Sequence, residues 1–321
     1  MGGRCCVMCC GGVREGFRSR MGSIEIRPLL ALDDLRAAVE LQKIYWGRDL
    51  ESVIPAHMLF SLANNGGHVL AAFDDEKMVG VLVGFLGTNM EESSRPAMAN
   101  LQIVSKRMVI LPEYRGQGIG YRLKLEQRRV AMRQGVRLVV WTFDPLLATN
   151  AHLNIRKLGG ISYRYLEDYY GTSAAGGLAR LGSSDRLQVE WWVTNRRVEE
   201  RISGKRGDLT LRQYLDAETR ITNPTTAGMD GLPRPSDILA RPDGTLALVE
   251  IPTQYETLAE RDPALAQEWR LHIRQVFKTL LGMGFVATDF LREAHEGRER
   301  AFYLLSQTNT RQFEQVDFSR N

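Results

Sequence analysis

The body of this chain has no cysteine: Cys5, Cys6, Cys9 and Cys10 are its whole supply, and all four fall within the first ten of 321 residues. Beyond that tail a disulfide, a thiolate zinc site and cysteine catalysis are therefore excluded, and no metal is expected. Histidine is scarce as well, with five residues. No run of 18 apolar residues occurs, so no membrane-spanning helix is expected. Charge of one sign is also missing from the body. Of the formal +4, residues 1–20 contribute +3 through Arg4, Arg14, Arg18 and Arg20 against Glu15, which leaves the remainder at +1. A nearly neutral body lacks the broad positive field that nonspecific nucleic-acid binding needs, so no nucleic-acid partner is expected.

What is present is the balance of a globular protein, 44% hydrophobic and 25% charged, in a chain long enough for two domains or two fused halves. Residues 1–20, rich in Gly, Arg and Cys and without periodicity, read as an N-terminal extension, disordered or wrongly assigned upstream of a start at Met21. Cys6 and Cys9 have metal-clip spacing, and Gly2 with nearby cysteines suggests a lipidated end, although Cys6 stands where myristoylation favours Ser or Thr.

Periodicity and breakers then give an alternation of elements. A strand at 24–26 leads to a helix over 32–46 with Asp33 as N-cap, and a second helix over 55–64 is stopped by Asn64-Asn65-Gly66-Gly67. A hairpin, 68–73 and 78–86, precedes a polar loop at 88–97. A strand at 101–111 breaks at Pro112, and a glycine-rich turn opens an amphipathic helix to about Gln134. The strand 136–143, a helix over 146–158 and a strand at 161–166 complete this part. After a Gly- and Ala-rich linker (171–184) come a strand at 187–193, a charged helix to Ser203, a loop at 222–244, a strand at 246–251, a helix opening at Asp262-Pro263, and strands at 285–290 and 300–306. The expected class is mixed α/β. The expected organisation is a first domain over 21–175 and a C-terminal α/β half over 185–321. The strand, Pro, helix, Gly, strand order of that half repeats the layout of 103–143, so it reads as a diverged copy of the core.

The chemistry concentrates in Val109-Ile110-Leu111-Pro112-Glu113-Tyr114-Arg115-Gly116-Gln117-Gly118-Ile119-Gly120, a strand that turns through glycines directly into a helix. Unpaired amides and a partial positive charge at a helix start, with glycines that allow close approach, suit a pyrophosphate. A Walker loop would need Lys and Ser or Thr at fixed offsets, and they are missing. A dinucleotide fingerprint needs GxGxxG, and Gly116, Gly118 and Gly120 have the wrong last spacing.

Arg115-x-x-Gly118-x-Gly120, entered through Leu-Pro-Glu-Tyr and flanked by a hairpin before and strand, helix and strand after, resembles motif A of the GNAT acyltransferase superfamily. The resemblance implies a mixed, mostly antiparallel sheet whose two central strands splay, with the pantetheine of an acyl-CoA entering the gap like an added strand. It implies that Val109 and Ile110 offer main-chain bonds to pantetheine and that Arg115, Gly116, Gln117, Gly118, Ile119, Gly120 and Tyr121 hold the pyrophosphate. Segment 141–170, in which an Asn-rich helix ends in Lys157-Leu158-Gly159-Gly160, resembles the family's motif B, with Asn154 as a hydrogen-bonding contact to CoA or solvent. Here the sequence departs from the pattern, because the tyrosine that protonates the leaving thiolate falls at Ile155. Tyr163, Tyr165, Tyr169 and Tyr170 are replacement candidates, each also readable as a core aromatic.

Direct attack by an amine on the thioester requires a base and a polarised carbonyl. Backbone N–H groups near Val109 or Ile110 fit the second role. Asp144 and Glu250 are candidates for the first, each also readable as a cap or an ion-pair member, and His152 reads as a surface helix residue. Trp141-Thr142-Phe143-Asp144-Pro145-Leu146, Asp185-Arg186-Leu187 with Glu190-Trp191, and Val249-Glu250-Ile251-Pro252 followed by Trp269-Arg270 resemble a long bacterial subfamily associated with N-succinylation of amino acids. That resemblance implies acetyl-CoA or succinyl-CoA as co-substrate rather than a resident cofactor, and a small amine such as an amino acid as acceptor. It also suggests a cytoplasmic location and a homodimer. Arg107, Arg164, Arg186 and Arg234 are candidates for binding a carboxylate. The charged pair Lys106-Arg107 departs from the pattern and leaves the donor open. The alternative is an acyl-CoA-binding module with a protein-interaction role.

Overall fold

The computed structural model describes residues 24–47, 53–89, 100–171, 183–236, 239–309 and 313. The N-terminal extension with its cysteines, most of the 88–97 loop and most of the 171–184 linker lie outside the described residues.

The order is β1 (Glu25–Pro28), α1 (Leu32–Trp46), α2 (Ala56–Asn64), β2 (His68–Asp74), β3 (Lys77–Thr88), β4 (Leu101–Ile110), α3 (Ile119–Arg133), β5 (Leu138–Phe143), α4 (Ala148–Ala151), β6 (Ile161–Leu166) and β7 (Arg186–Trp192). It continues through α5 (Arg196–Ile202), α6 (Leu211–Asp216), β8 (Thr225–Ala227), β9 (Pro233–Pro235), β10 (Leu246–Ile251), α7 (Tyr255–Arg261), α8 (Pro263–Gly282), β11 (Phe285–His295) and β12 (Arg298–Gln307). Asp33 is not the cap of α1. Ala31 holds that place without a side-chain bond, and Asp33 instead pairs with Arg36 at 2.6 Å in the first turn. Within the 222–244 loop, β8 and β9 pair as a small antiparallel ribbon. The expected helix at 146–158 is one α-turn followed by a π-helical segment, His152–Lys157.

Ten strands form one sheet in the order β1-β2-β3-β4-β5-β7-β6-β11-β12-β10. Every neighbouring pair is antiparallel except β4 and β5. The strand that the sequence placed at the start of the C-terminal half, β7, lies between β5 and β6, where Val189 faces Trp141 and Glu190 faces Ile161. Sequence order could not show this, because the partner is chosen by side chains on strands about 20 to 50 residues away. The sheet continues into the C-terminal half through one residue pair, Ala287 with Ser162. As the repeated order suggests, β10, α8 and β11 follow strand, helix, strand. However, β12 lies between β10 and β11, whereas β4 and β5 are direct neighbours.

Packing follows the apolar faces. α8 presents Leu265, Trp269, Ile273, Val276, Phe277 and Leu280 inward, at helical spacing. These residues share one core with Ile103, Ala131, Trp141 and Trp191. Trp141 meets Trp191 edge to face with centroids 5.9 Å apart. A second core joins α1 and α2 to β2 and β3 and to Ile119 and Leu123 of α3. Both cores reach α3, so that helix is fixed on the sheet next to the β4/β5 boundary.

Candidate functional site

The β4/β5 ladder is short. Gln102 pairs with Leu138, Ile103 with Val139 and Val104 with Val140, and then the two strands part. From Ser105 to Ile110 the β5-facing edge of β4 has no strand partner among the described residues, while its other edge remains paired to β3. An unpaired strand edge inside a sheet offers main-chain N–H and C=O groups to an extended guest. The β3/β4 register also slips here. Val83 faces Arg107 and Gly84 faces Ser105, so Lys106 is an extra residue on β4. Bulges of this kind re-aim side chains beside functional clefts.

The open edge leads to the glycine turn. After Ile110 the chain makes a short 3-10 turn, Pro112–Tyr114, and then Gly116 and Gly118 adopt φ of 77° and 78°. This left-handed region admits glycine without steric cost. Gly118 occupies the cap position of α3 and, as a glycine, brings no side chain to the first amides of that helix. Arg115 donates from Nε to the Ile110 carbonyl at 3.3 Å and lies 5.4 Å from the Tyr45 ring centroid. Gln117 donates to the Glu113 carbonyl at 3.1 Å. Gly120 is needed for closeness: a Cβ there would come within 3.3 Å of Met108 Cε and 3.7 Å of Leu153. Tyr121 packs against the large core, and burial raises its phenol above the ordinary value, with Arg128 opposing. Val109 is buried against the second core and Ile110 lines its edge. The residues expected to form one site, 109–110 and 115–121, are therefore contiguous at the start of α3.

Asn154 is buried on the π-helical segment, whose Leu153 approaches Gly120. π-helical turns recur at functional sites. Ile155 is fully buried in the large core, so the position where a tyrosine was expected is part of the packing. Of the replacement phenols, Tyr163 donates to Glu190 at 2.5 Å and Tyr165 donates to Asp185 at 2.7 Å. Burial, with Asp185 alongside, raises the Tyr165 phenol far above its ordinary value. Tyr169 and Tyr170 form an edge-to-face pair with centroids 4.8 Å apart. Lys106 of β4 lies 5.7 Å from the Tyr170 ring centroid and Arg186 of β7 lies 5.3 Å from it, so this ring spans the mouth of the gap. Burial holds the Arg107 guanidinium below its ordinary value, and Tyr170 partly restores it.

Both candidate bases are held in ion pairs, one of the readings open for each in the sequence. Asp144 follows β5 at the open end of the gap, but both oxygens accept from Arg270 of α8 at 2.7 Å, and Oδ1 also accepts from the Leu146 amide at 2.9 Å. Its lone pairs are committed to a structural ion pair. Glu250 is buried on β10 and accepts from Arg300 at 2.9 and 2.7 Å and from Thr225 at 2.7 Å. Five strand spacings separate β10 from β5, about 24 Å. Glu250 therefore does not reach the gap. Of the arginine candidates, Arg107 and Arg186 flank the gap, Arg164 lies on β6, and Arg234 on β9 pairs with Asp230 at 2.8 and 3.0 Å. His152 is half-buried, and burial lowers its imidazole below the ordinary value.

Sequence reading missed a buried cluster beside the gap: Ser105, Lys124, Gln127 and His68. Lys124 and Gln127 are spaced with Leu123 and Val130 on the inward arc of α3, a signal legible in the helical period. Among the described residues no group of His, Cys, Asp and Glu could hold a metal ion, and no helix is long and apolar enough to cross a membrane.

Residues 35–159 match the acetyltransferase (GNAT) family. No curated protein matches the chain. Among solved structures, the chain is similar to the ribosomal-protein-S18-alanine N-acetyltransferase of Escherichia coli, with 15% identity, a TM-score of 0.40, and coverage of 53% of this chain and 94% of that one. It is similar to NAA60 of Arabidopsis thaliana in complex with acetyl-CoA at 14% identity and TM-score 0.43, over 53% of this chain and 98% of that one. Naa20 of Chaetomium thermophilum, in complex with a bisubstrate analogue, gives 16% identity and TM-score 0.41 over 56% and 90%.

Proposed function

We propose that this chain, whose residues 35–159 carry an acetyltransferase (GNAT) domain, is an acyl-CoA-dependent N-acyltransferase that moves an acetyl or succinyl group to the amine of a small molecule such as an amino acid. The observation that carries the reading is the continuity of two features: the unpaired edge of β4 beyond Val104 and the uncapped start of α3 at Gly118. The edge suits the pantetheine arm, through main-chain groups near Val109 and Ile110, and the turn 115–121 suits the pyrophosphate. Asn154, beside the turn, would contact the coenzyme.

The charged mouth supports a substrate that carries a carboxylate. Lys106, Arg107 and Arg186 approach Tyr170 from both sides of the gap. A guanidinium recognises a carboxylate with paired, charge-assisted bonds. A second reading, an acyl-CoA-binding module with a protein partner, is favoured by one observation, the burial of Ile155 where a phenol was expected.

The experiment is release of free CoA thiol from acetyl-CoA and succinyl-CoA over a panel of amino acids. Amine-dependent release supports the enzyme. Binding of either donor without release for any amine or pH supports the module, and absence of donor binding removes both.

A further inference from the structure

β4 and β5 separate after Val104 and Val140, and the next residues in register are Ser105 and Trp141. Alternation along a strand turns these two side chains to the face on which Ile103 and Val139, paired two residues earlier, share a core with Ala131 of α3. Two helical turns before Ala131 stands Lys124. Its Nζ is 2.8 Å from Ser105 Oγ, 3.2 Å from Gln127 Oε1 and 3.5 Å from the Trp141 ring centroid. Where the helix presents a methyl group the strands pair, and where it presents this lysine they part.

The lysine head thus sits between the two side chains that would form the next cross-strand pair, and each of its supports is braced from behind. Trp141 meets Trp191 of β7 edge to face, and Trp191 Nε1 donates to the Leu158 carbonyl at 2.8 Å. Ser105 is held to β3 opposite Gly84. Gln127 Nε2 meets His68 Nε2 at 2.8 Å. Lys124 is 1% exposed, and among the described residues no carboxylate pairs with it. A buried amine without a carboxylate carries a desolvation cost that leucine would not, so apolar packing alone does not account for lysine here. What sets it apart is reach: an unbranched chain whose tip bonds to β4 while it rests on a ring of β5.

We propose that Lys124 is a positioning residue, a spacer that stops the β4/β5 ladder at Val104 and Val140 and so keeps the β4 edge from Ser105 to Ile110 open for the pantetheine arm of an acyl-CoA. The proposal rests on the acyltransferase reading given above and deepens it. Unpaired main-chain groups inside a sheet favour closure. Without the spacer, Ser105 and Trp141 would pair and the ladder would extend toward the glycine turn. Each rung gained would take main-chain partners away from the guest arm. The turn at 115–121 makes none of the Lys124 contacts and would keep its geometry. Lys124 therefore acts on one half of the coenzyme only.

The test compares CoA with its phosphorylated ADP half, which lacks the pantetheine arm, by calorimetry on the full chain. Lys124→Ala and Lys124→Val, both too short to reach Ser105 and each checked for folding by a thermal melt, should weaken CoA about tenfold or more while the ADP half binds as in the parent. Lys124→Met, whose unbranched chain still separates Ser105 from Trp141, should hold CoA within about threefold. Hydrogen exchange on the ligand-free protein should find the backbone amides of 105–110 and 141–143 better protected in the short variants than in the parent. Parent-like CoA affinity in the short variants overturns the spacer and leaves the acyltransferase reading intact. An equal loss on both ligands, or a loss in Lys124→Met as large as in Lys124→Ala, also overturns it. A parent protein that binds neither ligand overturns the acyltransferase reading, and the spacer with it.

Discussion

Arg270, midway along α8, places two parallel N–H···O bonds of 2.7 Å on Asp144 at the end of β5, with the guanidinium fully buried and the carboxylate 6% exposed. This contact joins the C-terminal half to the strand that borders the gap. Tyr303 of β12 reinforces it by donating to the Pro145 carbonyl at 2.7 Å.

Removing one partner of such a pair strands a buried charge, which costs about 3–5 kcal/mol. Arg270→Met should therefore lower the urea midpoint sharply, and Asp144→Leu combined with Arg270→Met should recover most of the loss. Equal loss in the single and double variants would show that the pair's charge is not what matters.

The glycine turn gives a graded prediction. A Cβ at Gly118 meets no heavy atom within 4 Å, so Gly118→Ala bears only the cost of its left-handed backbone, about 1–2 kcal/mol of folding stability. Gly118→Asp adds a negative charge beside the expected diphosphate. Gly120→Glu adds both charge and crowding against Met108. Calorimetry with CoA should find Gly118→Ala close to the parent protein and the two acidic variants weaker by at least about tenfold, which is about 1.4 kcal/mol. Parent-like affinity in both acidic variants would remove the phosphate role.

Loss of a charge-assisted bond costs about 1.5–3 kcal/mol. Arg107→Met and Arg186→Met should each reduce kcat/KM about ten- to a hundredfold for a carboxylate-bearing substrate, and much less for its amide. A uniform fall on both would mean that the two arginines support structure rather than recognition.

His68 predicts a pH dependence of stability. Burial, with Lys124 nearby, lowers its imidazole from 6.5 to about 4. Because the unfolded chain takes up the proton first, the stabilising contribution is complete above pH 6.5 and is lost as pH falls toward 4. The urea midpoint should drop across that window, and His68→Gln should flatten the drop. An identical slope in the variant would assign the acid sensitivity elsewhere.

Which parts of this molecule were legible follows from the range of the interactions involved. The turn 112–120 and the helices at 119–133 and 263–282 are written in local sequence: a proline, glycines, and an apolar stripe at helical period. The parting of β4 and β5 was legible only through family resemblance. The choice between base and ion-pair member stayed open for Asp144 and Glu250 because their partners, Arg270 and Arg300, lie 126 and 50 residues away. A carboxylate beside a strand looks the same whether it awaits a proton or a guanidinium. Lys124 was overlooked because lysine on a helix usually faces water. Only its place on the arc shared with Leu123 and Gln127 marked it as inward.

Backbone continuity across the long sheet narrows to Ala287 and Ser162. The seam between the two halves is consequently carried by side chains, the apolar core that α8 shares with β4 and β5 together with the Arg270–Asp144 grip, rather than by main-chain pairing.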